Sequence, residues 1–213
     1  METYRILIII HVAFTIAALV SGLISIVANP KGGSLHRKSG RLYFYFYIGV
    51  VMTALIMLTI KFKMFFLGLT IFNSYLIFAG KYYSNKKENI IIINWLLLSV
   101  LVLTIIVYIF DIIFVISNIE HYDFGWIIVH CTYAILAISV FIFELTIERN
   151  RFLLHATTML LSYITLIDGI LARFSPTGYV WIFWIAGYIF FIPLIILWFK
   201  KSKKLRPLLN LKG

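Results

Sequence analysis

The chain alternates between long apolar runs and short polar breaks. Seven runs stand out, at residues 4–28, 42–60, 64–80, 90–116, 124–146, 152–172 and 178–199. Each is close to the roughly 20 apolar residues that carry a helix across a bilayer core. Within a run the apolar positions are continuous rather than alternating, which excludes a membrane β-barrel. The pattern therefore predicts an all-α integral membrane bundle of seven transmembrane helices. Only Lys61-Phe62-Lys63 separates the second run from the third, so one long bent helix competes there with two. No connection is long enough for a soluble domain. Residues 1–199 read as one transmembrane domain and 200–213 as a basic tail. The first run exceeds a secretory signal in length, lacks a small-x-small cleavage site and contains His11, so it reads as a retained helix.

Composition agrees with this reading. Of 213 residues, 62% are hydrophobic and 13% charged, with a mean hydropathy of +1.01. One aqueous core cannot bury so much apolar surface, so the surplus needs lipid. The single cysteine, Cys131, excludes an intrachain disulfide.

The net charge of +11 changes the picture through its placement. With the amino terminus outside, the inner side receives Lys31, Arg37, Lys38, Arg41, Lys81, Lys86, Lys87, Arg149, Arg151 and the tail cations Lys200, Lys201, Lys203, Lys204, Arg206 and Lys212. That is 15 of the 19 basic residues. The positive-inside rule then predicts N-out and C-in, in a bacterial cytoplasmic membrane. Aromatic belts fit: Tyr43, Tyr45, Tyr47, Tyr82, Tyr83 and Trp198 within, Tyr122, Trp126, Tyr179, Trp181 and Trp184 without. The expected partners are the lipid bilayer and anionic headgroups at the basic loops and tail; nucleic acid is not expected. Self-association into a homo-oligomer is compatible with all of this.

Ionisable residues inside a membrane are costly, so each marks a candidate for function. They are His11, Asp111, His130, Glu144, His155 and Asp168, with His36 at the inner surface. Asp111 and Glu144 sit near helix ends and read as interfacial, and Arg173 is a natural partner for Asp168. His155, Thr158, Met159 and Ser162 share a helix face, which suits either a polar pocket or proton path or a histidine simply hydrogen-bonded to a neighbouring helix, with Met159 as core. Between the first two runs, Gly32-Gly33 permits a tight reversal and Ser34 or Ser39 is placed to cap the next helix. His36, Arg37, Lys38 and Arg41 either present donors there to a phosphate or another anion or serve only as a positive-inside anchor with no specific ligand. The ligand-binding set is thus His11, His36, Arg37, Arg41, Tyr43, His155 and Ser162.

A sharper alternative uses the histidines as axial ligands of b-type haem. His11 and His130 each lie five residues outward of the midpoint of their run, so they match in depth; His36 and His155 form a second, inner pair. Both His11–His36 and His130–His155 span 25 residues, as a degenerate repeat would. Six residues separate His36 from the start of the second run, which fits haem ligation poorly. A zinc-dependent membrane hydrolase is a third class, but no HExxH or HxxxH supplies its ligands. No metal site and no catalytic residue is assigned, and enzymatic activity stays open.

The basic loop also carries a resemblance. Gly33-x-x-His36-Arg37-x-x-Gly40-Arg41-x-Tyr43, with His11 and Gly22 before it, resembles a large bacterial family of multi-pass membrane proteins, domain of unknown function 2306. The stretch His155-x-x-x-Met159-x-x-Ser162-Tyr163-Ile164 and the last run with Trp184, Pro193 and Trp198 resemble later helices of that family. The resemblance implies a membrane topology and brings no established activity. His130 is not a position associated with that family, which weakens the outer haem pair.

Overall fold

A computed structural model describes residues 2–29, 31–85, 91–118, 124–146, 150–174, 181–189 and 193, with the side chains of 173 and 174 excepted. Six long helices organise the described chain: α1 (Glu2–Val27), α2 (Ser34–Ile60), α3 (Met64–Tyr83), α4 (Ile91–Ser117), α5 (Phe124–Thr146) and α6 (Arg151–Phe174). No strand occurs among the described residues. All six helices are long and apolar enough to cross a membrane, so this is a multi-pass membrane protein. A further helical stretch covers 181–189, inside the seventh run. The rest of that run apart from Pro193, the basic tail, and the connections holding Lys86, Lys87, Glu120, Asp123 and Arg149 lie outside the described residues.

Two boundaries refine the sequence reading. Lys61-Phe62-Lys63 does break the chain, and Lys61 N–H closes the last turn of α2 on Met57 O at 2.9 Å. The second helix starts at Ser34 rather than near residue 42. Polar residues were read there as loop, but a helix does not stop where apolar side chains stop. Gly32, at φ 79°, makes the reversal in a conformation that favours glycine, and Gly33 takes the N-cap position with no side-chain cap. Ser34 is therefore the first helical residue. Ser39 bonds back to Leu35 O at 2.8 Å, so neither serine caps the helix as expected.

α1 and α2 form an antiparallel hairpin packed along its length. Small residues make the approach possible: Ala18 is fully buried, and a Cβ added at Gly49 would meet the Phe14 ring at 2.6 Å. α3 is the central helix, lying against α2, α4, α5 and α6. Its far half feeds an aromatic core in which Phe65 meets Tyr108, Trp126, His130, Tyr133 and Trp184. A second core joins α1 and α2 to Ile77 and Leu166. The outward faces carry exposed Ile, Leu, Val and Phe, as a lipid-facing surface must. Trp184 is an exception to the aromatic-belt expectation. It is buried in the core, because helix 181–189 turns that face inward.

Candidate functional site

The antiparallel helices give the bundle two ends: a basic end, where α1 turns into α2, and a far end. Polar side chains line the interior between them in three groups.

At the basic end, the early start of α2 places His36, Arg37, Lys38 and Arg41 on its first two turns. Arg37, Lys38 and Arg41 are exposed and, with Ser34, line an open depression. His36 is half-buried and turns toward α1, where its Nδ1 lies 2.9 Å from Ser25 O. His155 of α6 is also half-buried, with Nδ1 2.7 Å from Gly80 O on α3. A carbonyl oxygen can only accept, so both rings donate from Nδ1 and keep the Nε2 lone pair when neutral. His36 and Lys81 lie within electrostatic reach of His155. Four cations and two imidazoles from three helices thus gather at one end. Among the described acids only Glu144 is at that end, and it accepts the hydroxyls of Tyr75 and Tyr83. Arg151 stands over the Tyr82 and Tyr83 rings, its guanidinium carbon 4.6 Å and 5.6 Å from their centroids, and donates to Tyr82 O at 2.9 Å. Glu144, half-buried near the end of α5, is held by Tyr75 and Tyr83 of the central helix.

The middle of the bundle holds a hydrogen-bonded cluster on α2, α3 and α6. Tyr43 and Ser162 hydroxyls meet at 2.7 Å, buried. Tyr47 OH lies 2.9 Å from Thr165 Oγ1 and also reaches Asn73 Oδ1 and Ser162 O. Thr165 Oγ1 lies 2.6 Å from the same Asn73 oxygen. Tyr47 and Tyr43 were read as headgroup-level aromatics, but both are almost fully buried. The signal that finds them is the i, i+4 spacing of Ser39, Tyr43 and Tyr47, all on the buried face of α2.

The far half contains the most deeply buried acids. Asp111 of α4, 3% exposed, contacts His130 Nδ1 on α5 in a buried ion-pair geometry. Asp111 thus points into the bundle, covered by α5, ahead of the end of α4 at Ser117. Asp168 of α6 is fully buried, and its Oδ1 accepts Gly187 N–H at 2.8 Å. Arg173, its expected partner, has a side chain outside the described residues.

Of the candidate residues, the structure brings Tyr43 into contact with Ser162 and places His36 and His155 at the same end of the bundle, each on a different carbonyl. It gives His11 and His130 different partners on different helix pairs. His11 Nδ1 lies 2.8 Å from Thr53 Oγ1, whose own hydrogen points to Gly49 O at 2.8 Å, so His11 must be the donor. Matching depth did not make His11 and His130 neighbours, because α1 packs on α2 whereas α5 packs on α4. His36 changes in the other direction. It is helical rather than six residues short of a helix, on the first turn of α2. Among the described residues no group of three His, Cys, Asp or Glu side chains converges in metal-ligand geometry. Sequence reasoning missed Tyr47, Asn73, Thr165, Tyr75, Tyr83, Tyr133 and Tyr188, whose roles depend on helix neighbours. No family model, curated protein or solved structure matches the chain.

Proposed function

We propose that this membrane protein binds a small anionic molecule or an anionic lipid headgroup at its basic end. One observation carries the reading: His36, Arg37, Lys38 and Arg41 of α2, His155 of α6 and Lys81 of α3 gather there, while Glu144 is engaged elsewhere. Arginine forks and lysine ammonium groups match phosphate or carboxylate oxygens. The two imidazoles, anchored through Nδ1, offer Nε2 to a ligand hydroxyl or proton. Below them the Tyr43–Ser162 contact leads into the bundle, so the polar lining does not end at the surface. With the amino terminus outside, as the charge distribution predicts, this end faces the cytoplasm and anionic inner-leaflet lipid. The family resemblance of the loop brings no activity and adds nothing to the choice of ligand. Native mass spectrometry of the purified protein tests the reading. Retained phosphatidylglycerol or phosphatidic acid, lost in Arg37→Ala/Arg41→Ala, is the expected result; zwitterionic lipid alone, or equal retention by the variant, removes it.

A second reading has its own support. Ligating histidines characteristically donate their other ring N–H to a carbonyl or carboxylate, as His36 and His155 do. The pair would hold b-type haem from α2 and α6, and the group would supply one-electron chemistry. The His11 and His130 pair does not share this support. A reduced-minus-oxidised optical spectrum of protein expressed with ample haem decides it: sharp low-spin bands lost in His155→Ala favour haem, and a featureless spectrum excludes it. Zinc hydrolysis gains nothing from the described residues.

A further inference from the structure

We propose that Asp168 is an exchangeable proton-binding site inside the bundle, with the hydroxyls of Tyr133 and Tyr188 beside it. It is separate from the basic end and does not depend on what binds there.

The site is built rather than incidental. Asp168 is 0% exposed, and only one of its oxygens is hydrogen-bonded: Oδ1 accepts Gly187 N–H, while the buried Oδ2 has no partner. A Cβ at Gly187 would fall 2.1 Å from Oδ1, so a glycine is needed for helix 181–189 to reach the carboxyl. A carboxyl group so enclosed carries a large penalty as an unpaired anion, and the pairing cation it would need is not among the described contacts. An unpartnered, water-excluded oxygen is where a proton is held.

Titratable groups face Asp168 from the elements around it. Tyr133 of α5 and Tyr188 of helix 181–189 both lie within electrostatic reach, and their rings meet edge to face at 5.5 Å. The Tyr133 and Tyr188 hydroxyls face each other without a fully formed hydrogen bond. Tyr108 of α4 stands 6.3 Å from the Tyr133 ring, its hydroxyl buried and unpartnered, and it lies within reach of Asp111. Asp111 in turn contacts His130, near the start of α5 at the far end. Toward the centre, Tyr47 lies within reach of Tyr133 and opens onto Asn73, Thr165, Ser162 and Tyr43. The buried hydroxyls of Tyr108, Tyr133 and Tyr188 therefore have no strict partner, in a medium where an unused donor is costly. They are free to reorient between neighbours.

The transfer step is a proton shift without electron flow. Asp168 Oδ2–H breaks as a neighbouring tyrosine oxygen takes that proton. The same tyrosine returns its own hydroxyl proton to Oδ2 as the two groups meet, so one proton is exchanged for another and no charge is left on either.

Infrared spectroscopy of the full chain in lipid nanodiscs reads the site directly, with no ligand needed. Wild-type protein should show a carboxylic C=O band that shifts on transfer from H2O to D2O. Asp168→Asn should lose that band, and Asp168→Glu, which keeps the acid if the amide variant folds poorly, should move it. Tyr133→Phe keeps the ring packing and should retain the band while delaying its deuterium shift. Identical carboxylic bands in wild type and in both Asp168 variants would overturn the proposal. A band that belongs to Asp168 but never shifts in D2O would overturn it equally, leaving a static structural acid.

Discussion

The two halves of this bundle handle charge in opposite ways. At the basic end the cations of α2 remain in contact with water and are gathered by sign. In the far half the two interior acids are almost fully enclosed, and each has its own answer. Asp111 takes a histidine, whereas Asp168 takes one backbone N–H and tyrosine neighbours. Wet charges of one sign contribute little to holding helices together but attract an oppositely charged partner. Dry groups cannot be left alone without large cost, so they fix which helices are neighbours. The buried acids of the far half thus tie particular helices together, whereas the exposed cations of α2 are not committed to any described helix contact.

Mutations sharpen this contrast, and the largest effects belong in the far half. His130→Ala leaves the Asp111 carboxylate buried without its partner. Loss of one member of such a pair costs about 3–5 kcal/mol. Unfolding of the purified protein in a denaturing detergent series should show a loss of that size; a change near zero would mean that Asp111 is hydrated or paired otherwise. Gly187→Ala comes next. The added methyl would collide with Asp168 Oδ1, and overpacking of a close interface costs about 1–3 kcal/mol. The same unfolding series measures it, and a neutral result would place helix 181–189 farther from α6 than 2.8 Å implies. Tyr47→Phe keeps the ring and removes the hydroxyl shared by Asn73, Thr165 and Ser162. Side-chain hydrogen bonds between membrane helices average about 0.6 kcal/mol and reach about 1.7. The expected loss therefore lies in that range, and a larger one would show that the central cluster acts as a unit.

How much of this was legible beforehand differs along the same line. The spans, the break at Lys61-Phe62-Lys63 and the reversal at Gly32 follow from local rules of apolar length and backbone freedom. Arg37, Arg41 and His36 stood out because charge beside an apolar run is conspicuous. The start of α2 did not, since helicity continues through charged residues once Gly33 has turned the chain. Asp111 and His130 were each visible, yet their pairing was not. It depends on α5 packing on α4, which neither residue encodes alone. Tyrosine misled most. The same side chain suits a headgroup belt or a buried hydroxyl, and Tyr43 and Tyr45 show both outcomes two residues apart, one buried and one exposed. Helical spacing with Ser39 and Tyr47 separates them, whereas hydrophobicity does not.

The smallest effect on stability should accompany the largest effect on binding. Arg37→Ala/Arg41→Ala removes exposed side chains that hold no described contact within the bundle, so its melting temperature without ligand should match that of the wild type. The most direct measurement is the thermal midpoint of detergent-purified protein during titration with short-chain phosphatidic acid, with phosphatidylcholine of the same chain length as control. A ligand that binds only the folded state raises stability by RT ln(1 + [L]/Kd), about 2.7 kcal/mol at a hundredfold excess over Kd. The basic-end account predicts a rising midpoint with phosphatidic acid alone, lost in the double variant. Equal midpoints with both lipids, or an undiminished rise in the double variant, would contradict it.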